Sequence, residues 1–182
     1  MGGKDYTDEL ISKTLDYTLW IEKAEHLLEV ASFIEPRIRE MWSEVQDGGF
    51  IKEHYITTYF MLVSFALENL LKALYIKLNK DSVKRELEKK KKLPKTITSH
   101  DLYQLAKELG VAPMEWGEES LLQKISRSAV WFGMYPTPIT PSQLDRFYKS
   151  KFEDLSIPFQ SYSSGDLKEI QNIISRVRYK LE

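Results

Sequence analysis

The sequence predicts an all-α fold, a single-domain, up-and-down helical bundle of four to five main helices plus a short helix. Three observations carry this. Apolar residues recur every three or four positions through most of the chain, the period of one helix face. Ser, Thr and Asp stand at cap spacing ahead of several apolar runs, with Gly or Pro behind them, the punctuation of helix starts and stops. No stretch of the sequence alternates apolar and polar residues convincingly with the period of two that a half-buried strand shows.

The first strong helix runs through Leu15, Leu19, Trp20, Ala24, Leu27, Leu28, Ala31 and Ile34, with charge on its other face. Pro36 is expected to interrupt it, because proline cannot donate to the helical ladder. Arg37 to Val45 then reads as a short continuation, ended by a turn at Asp47-Gly48-Gly49. The second helix is the most apolar. Ile56, Phe60, Val63, Leu67, Leu70, Leu71, Leu74 and Leu78 mark one side, and Tyr59, Leu62, Ala66 and Ala73 extend the apolar surface around it. Such a helix is central. Its polar residues form a narrow stripe, Thr57, Ser64, Glu68 and Lys72, at spacings that stack them on one face.

A third helix starts within TSHDLYQLAKELG, where Thr98 and Asp101 resemble a capping box and Gly110 suits the left-handed residue after the helix. Leu102, Leu105, Ala106 and Leu109 are its predicted buried face. The fourth runs from about Glu118 to Tyr135, with Leu121, Leu122, Ile125, Ala129 and Phe132 at helical spacing and two acids in its first turn. Pro136, Pro138 and Pro141 stop it. Residues 139–163 read as an irregular segment with a short helix near Ser142 to Lys149. The last helix, residues 164–182, has Ser163 and Asp166 at cap spacing, a stripe of Leu167, Ile170, Ile174, Val177 and Leu181, and cations near its C-terminus.

A chain of 182 residues supports one sizeable core and needs no second domain. It contains no cysteine, which removes disulfides, thiolate metal sites and Cys nucleophiles and fits a reducing compartment; the cytoplasm is the expected location. The polar opening MGGKDYTDEL has no apolar signal core, and the longest apolar run, Tyr59 to Leu67, falls short of the roughly 20 residues of a membrane span. Charge is unevenly spread. Residues 1–50 hold 5 Lys/Arg and 11 Asp/Glu, a balance of -6, whereas residues 81–95 hold 7 and 3, a balance of +4. The lysine-rich stretch reads as a solvated, mobile linker, with phosphate attraction by Lys89, Lys90, Lys91 and Lys92 as the functional alternative.

Most catalytic constellations are excluded. His26, His54 and His100 fall on different segments without metal-ligand spacing, and GxSxG, Walker and GxGxxG motifs are absent. No metal, no cofactor and no catalytic residue is assigned.

The order of FALENLLKAL (Phe65 to Leu74), a lysine-rich connector, HDLYQLAKELG (His100 to Gly110) and LLQKISRSAVWFGMYPTP (Leu121 to Pro138) resembles HEPN-type domains of the prokaryotic toxin and defence-associated kind. The resemblance covers roughly residues 10–138. It implies a helical bundle, a homodimer, and RNA, a nucleotide or a nucleotidyltransferase-type protein as partner. Many members of the family are metal-independent ribonucleases that use an Arg, four to six intervening residues, and a His. This chain departs from that pattern, with Lys95 the nearest analogue before His100 and Met134 standing where a related subgroup carries Arg in a Trp-x-Gly-Arg-Tyr-Pro ending. A non-catalytic RNA-, nucleotide- or protein-binding module is therefore expected. The alternatives are a metal-independent ribonuclease with a non-standard set, His100 with Lys95 or Arg127, and a structural protein acting as a homodimer.

The candidate ligand-binding residues are Glu68, Lys72, His100, Arg127 and Tyr135. Glu68 and Lys72 read either as an i, i+4 ion pair tolerated in a buried helix or as the floor of a polar cleft. Trp131, Phe132 and Tyr135 read as core or dimer-seam residues, or as a stacking platform for a base.

Overall fold

The structure is a computed structural model that describes residues 5–46, 53–111, 116–130 and 162–182. Every regular element among the described residues is helical. In chain order these are α1 (Thr7–Leu15), α2 (Tyr17–Gln46), α3 (Glu53–Lys90), α4 (Lys95–Thr98), α5 (Leu102–Glu108), α6 (Trp116–Val130) and α7 (Ser164–Leu181). The expected turn at Asp47-Gly48-Gly49, the short helix near Ser142 to Lys149, and Trp131, Phe132 and Tyr135 lie outside the described residues.

The apolar period of α3 places it at the centre, where it touches α1, α2, α5, α6 and α7. Phe60, Ala66, Leu67, Leu70, Leu71 and Ala73 are fully buried. The polar residues in this run lie along its stripe or bond within the helix. Asn69 donates from Nδ2 to the Phe65 carbonyl at 2.7 Å, a local bond that satisfies an amide without a tertiary partner. The helix contains a segment apolar and long enough to cross a membrane, of which 72% is buried inside the fold, the pattern of a core helix.

α2 packs along α3 and runs unbroken through Pro36, which corrects the expected interruption. Proline withholds one donor from the Ser32 carbonyl, but Pro36 is exposed, where water can take that role. Ile38 and Met41, buried on the far side of the proline, stand in phase with Ala24 and Ala31, so continuing the helix keeps the α2 seam in the core.

The lysine-rich segment also differs from the expected mobile linker. α3 continues to Lys90, past a break at Asn79 (φ -122°, ψ 25°). There the Asn79 side chain donates to the Tyr75 carbonyl at 2.9 Å, a side-chain bond of the kind that bends helices. Beyond the break Val83 and Leu87, one turn apart, join Ile76 and Ile97 in a second apolar cluster against α1 and the start of α2. Charge dominates the composition of this segment, yet two buried residues are enough to anchor its inner face.

The remaining boundaries follow cap chemistry. Asp101, not Thr98, caps α5, accepting from Gln104 N–H at 2.9 Å, and Thr98 ends the short α4. Gly110 takes the left-handed conformation, φ +59°, as expected after a helix. α7 opens on the full Ser163/Asp166 capping box, and Asp166 also binds Lys124 of α6 at 2.9 Å. Leu167, Ile170, Ile174 and Val177 are buried as predicted. Tyr162 stacks on Phe60 at 3.8 Å between ring centroids, with the Lys124 ammonium 4.6 Å from the Tyr162 ring, so one lysine fastens both the cap and the aromatic lid over the core.

Candidate functional site

Glu68 and Lys72 lie one turn apart on α3, and burial turns their spacing into an ion pair: Lys72 Nζ donates to Glu68 Oε1 at 2.5 Å, with side chains only 7% and 9% exposed. A buried charge is tolerated where its partner and further hydrogen bonds replace water. The further bond comes from His100. Its Nδ1 lies 3.1 Å from Glu68 Oε1 and 3.0 Å from Oε2. A carboxylate has no proton to give, so Nδ1 carries the hydrogen and donates. The imidazole itself is 55% exposed, and its Nε2 has no partner among the described residues, which leaves one ring nitrogen available at the surface.

The backbone around His100 explains how it reaches α3 from 32 positions away in sequence. It occupies the connection between α4 and α5. Ser99 Oγ accepts from the Asp101 N–H at 3.2 Å, Asp101 caps α5, and Leu102 N–H donates to Ser126 Oγ of α6 at 3.0 Å. Leu102 itself is fully buried. His100 is thus carried on a short connection tied at one end to α6.

Ser64 continues the stripe one turn before Glu68. It is fully buried, and its Oγ has no hydrogen-bond partner among the described residues. Thr57, at the outer end of the stripe, donates to the His54 carbonyl at 3.2 Å.

Of the sequence-named residues, Glu68, Lys72 and His100 converge. Arg127 lies on α6, a helix that packs on α3; its side chain is outside the described residues, as is Tyr135. Lys89, Lys90, Lys91 and Lys92 stand elsewhere: about 25 Å of helical path separates Lys72 from Lys89 at 1.5 Å per residue. Lys90 pairs with Glu86 at 2.6 Å and Lys91 with Asp5 at 3.2 Å. Lys89 and Lys92 are exposed.

One cavity was not foreseen. A cleft of about 450 Å³ is lined by Arg39, Trp42 and Ser43 of α2 and Ser163, Ser164 and Leu167 at the start of α7. None of the candidate ligand-binding residues named from sequence lines it. Its walls come from segments far apart in the chain, and Ser163 signalled only a helix cap.

Among the described residues no group of three His, Asp or Glu side chains is arranged to hold a metal ion. The site thus offers a solvent-facing imidazole oriented by a buried carboxylate, which can donate to or accept from a polar ligand. The described fold and site define an all-α bundle with a buried Glu68–Lys72 ion pair hydrogen-bonded to a solvent-facing His100. Compared with protein-family models, curated proteins and solved structures, the chain finds no match.

Proposed function

We propose that this chain is a HEPN-like helical module, of the prokaryotic defence or toxin–antitoxin type, that binds RNA or a nucleotide at the His100 edge of the Glu68–Lys72 pair without cleaving it. The observation that carries the reading is the Glu68–His100 hydrogen bond, which costs the fold a buried carboxylate and holds an exposed imidazole in one orientation. With the hydrogen on Nδ1, the free Nε2 accepts from a ribose hydroxyl, and the doubly protonated ring donates to a phosphate. The exposed Lys89 and Lys92 add long-range attraction for a chain of phosphates.

The test is a titration of a labelled single-stranded RNA and of a mononucleotide, followed by anisotropy, at several salt concentrations. His100→Ala is expected to weaken binding of both ligands at least about tenfold while the helical circular dichroism is unchanged. Lys89→Glu with Lys92→Glu is expected to lower the salt slope for RNA by about 1.4, at about 0.7 per phosphate contact on a single strand. Binding of neither ligand, or binding untouched by His100→Ala, removes the reading.

The same hydrogen bond favours a second reading, metal-independent RNA cleavage. A carboxylate on Nδ1 leaves Nε2 free to take a proton from a 2′-hydroxyl. The cation such a reaction needs at the phosphorane is not Lys72, which is buried and already paired. Bulk RNA incubated with the protein in EDTA distinguishes the two: cleavage lost in His100→Ala supports the enzyme, and no cleavage, or cleavage retained in that variant, leaves the binding module.

A further inference from the structure

The cleft between α2 and the start of α7 shares no residue with the His100 site, and its walls sort by chemistry. Arg39, Trp42 and Ser43 stand at i, i+3 and i+4 on α2 and so share one face of the helix. Trp42 packs partly against the core and Leu167 of α7 is buried; together they give the cleft an apolar wall. Its volume, about 450 Å³, lies within the range of about 300–1,000 Å³ typical of small-molecule sites.

Arg39 supplies the polar end, and it is held in place. Its Nε and Nη2 donate to Glu35 Oε1 at 2.9 and 2.5 Å. Glu35 is in turn fixed from two other helices, by Tyr59 Oη of α3 at 3.1 Å and by Gln171 Nε2 of α7 at 3.1 and 3.3 Å. A guanidinium carries five N–H donors. Two are taken by Glu35, which leaves the Nη1–Nη2 edge of the fork for a second planar, bidentate acceptor. Trp42 Nε1, Ser43 Oγ and Ser164 Oγ bring further donors to the cleft that have no partner among the described residues.

Donors gathered without an acceptor call for an anion, and two features narrow its kind. Among the described residues no Asp or Glu lines the cleft, yet the charge of Arg39 is already balanced by Glu35. A singly charged carboxylate can share that guanidinium, whereas a phosphate dianion brings a second charge with nothing to meet it. The apolar wall of Trp42 and Leu167 asks for a ring beside the charge. The first turn of α7 is not part of the attraction, because Ser163 and Asp166 already cap it.

We infer that the cleft binds a small aromatic monocarboxylate, its ring against Trp42 and Leu167 and its carboxylate on the outer edge of Arg39, with the Ser43 and Ser164 hydroxyls beside it. The inference stands apart from the RNA or nucleotide reading, since none of these residues belongs to the Glu68–Lys72–His100 site. The probe is cinnamate, titrated into the nitrogen-labelled full chain while the indole N–H signals of the four tryptophans are followed by NMR, with Trp42→Phe assigning the Trp42 signal. A saturable shift of that signal is expected, with an affinity unchanged by His100→Ala. Cinnamamide, which replaces one acceptor oxygen by a donor, and inorganic phosphate, which lacks the ring, are each expected to bind at least about tenfold more weakly. Arg39→Gln is expected to weaken cinnamate by a similar factor. Ser43→Glu, which sets a like charge at an exposed position of the cleft and leaves the contacts of Glu35 intact, is expected to do the same with an unchanged thermal melt. No shift at Trp42, or an affinity retained in both variants, overturns the inference. Cinnamamide binding as tightly as cinnamate would reduce the cleft to an apolar pocket, and inorganic phosphate or a mononucleotide displacing cinnamate at lower concentration would make it a phosphate site; either result also overturns it.

Discussion

The Nδ1 atom of His100 lies within hydrogen-bond distance of both carboxylate oxygens of Glu68, at 3.1 and 3.0 Å, so a half-exposed ring on a connection between helices shares a buried acid with Lys72. This three-residue arrangement makes the stability of α3 depend on all of its members unequally. Glu68→Leu leaves the Lys72 ammonium buried with no counter-ion among the described residues. Lys72→Met leaves Glu68 with His100 still in contact. Breaking a buried pair by removing one partner costs about 3–5 kcal/mol. We expect Glu68→Leu to fall in that range, Lys72→Met to cost less, and the double variant to recover most of the loss, because two apolar residues of similar size replace the pair. Urea denaturation of the four proteins in a double-mutant cycle checks this; a double variant as damaged as Glu68→Leu would show that the pair is not the source of the cost.

The i, i+4 spacing of Glu68 and Lys72 was legible in the sequence, and so was the central position of their helix, because eight apolar residues from Ile56 to Leu78 keep one helical period. The partnership with His100 was not. It depends on where α4 stops, on Asp101 rather than Thr98 serving as the cap, and on the Leu102 to Ser126 bond that ties the connection to α6; none of these has a periodic signature. Pro36 misdirects for a related reason. A local rule predicts an interruption, whereas the tertiary phase of Ala24, Ala31 and Ile38 keeps the helix going. In the lysine-rich segment the charge count hides Val83 and Leu87, whose spacing of four was the informative feature.

Ser64 offers a second test of the same stripe. Its hydroxyl is fully buried and has no partner among the described residues, and an unsatisfied buried polar group costs about 1–3 kcal/mol. Ser64→Ala removes that group and adds a better helix former. We expect stabilisation by about 1 kcal/mol, read as a rise in the urea midpoint at unchanged slope. Destabilisation would mean that the hydroxyl has a bonding role in solution.

Tyr59 couples the fold to alkaline pH. Burial, then the charge of Glu35 and the hydrogen bond from Tyr59 Oη to Glu35 Oε2 at 3.1 Å, push this phenol well above the ordinary tyrosine value. A pKa raised in the folded state gives stability that is fully present below the unfolded value of about 10 and is lost as pH climbs through the folded value. The chain is therefore expected to lose stability above about pH 10, and Tyr59→Phe to make that part of the loss disappear. Urea midpoints measured from neutral to strongly alkaline pH, with tyrosinate absorbance followed in parallel, report both effects. Equal alkaline loss in the two proteins would assign it to other groups.

The second apolar cluster separates a folded lysine-rich segment from a linker. Leu87 is fully buried there and Val83 nearly so, packed with Ile76 and Ile97 against α1. Truncating a buried leucine to alanine costs about 2–5 kcal/mol, whereas the same change in a solvated linker costs almost nothing. Leu87→Ala is expected to lie within that range and to loosen Lys89 through Lys92 together with α1, because Lys91 is paired with Asp5 at the N-terminal side of that helix. Amide hydrogen exchange should show α1 and residues 83–90 losing protection together in this variant, with the Phe60 to Leu74 core losing it later. Protection lost only at the lysines, with α1 unchanged, would mean that the end of α3 folds independently of α1 and that the cluster does not couple them.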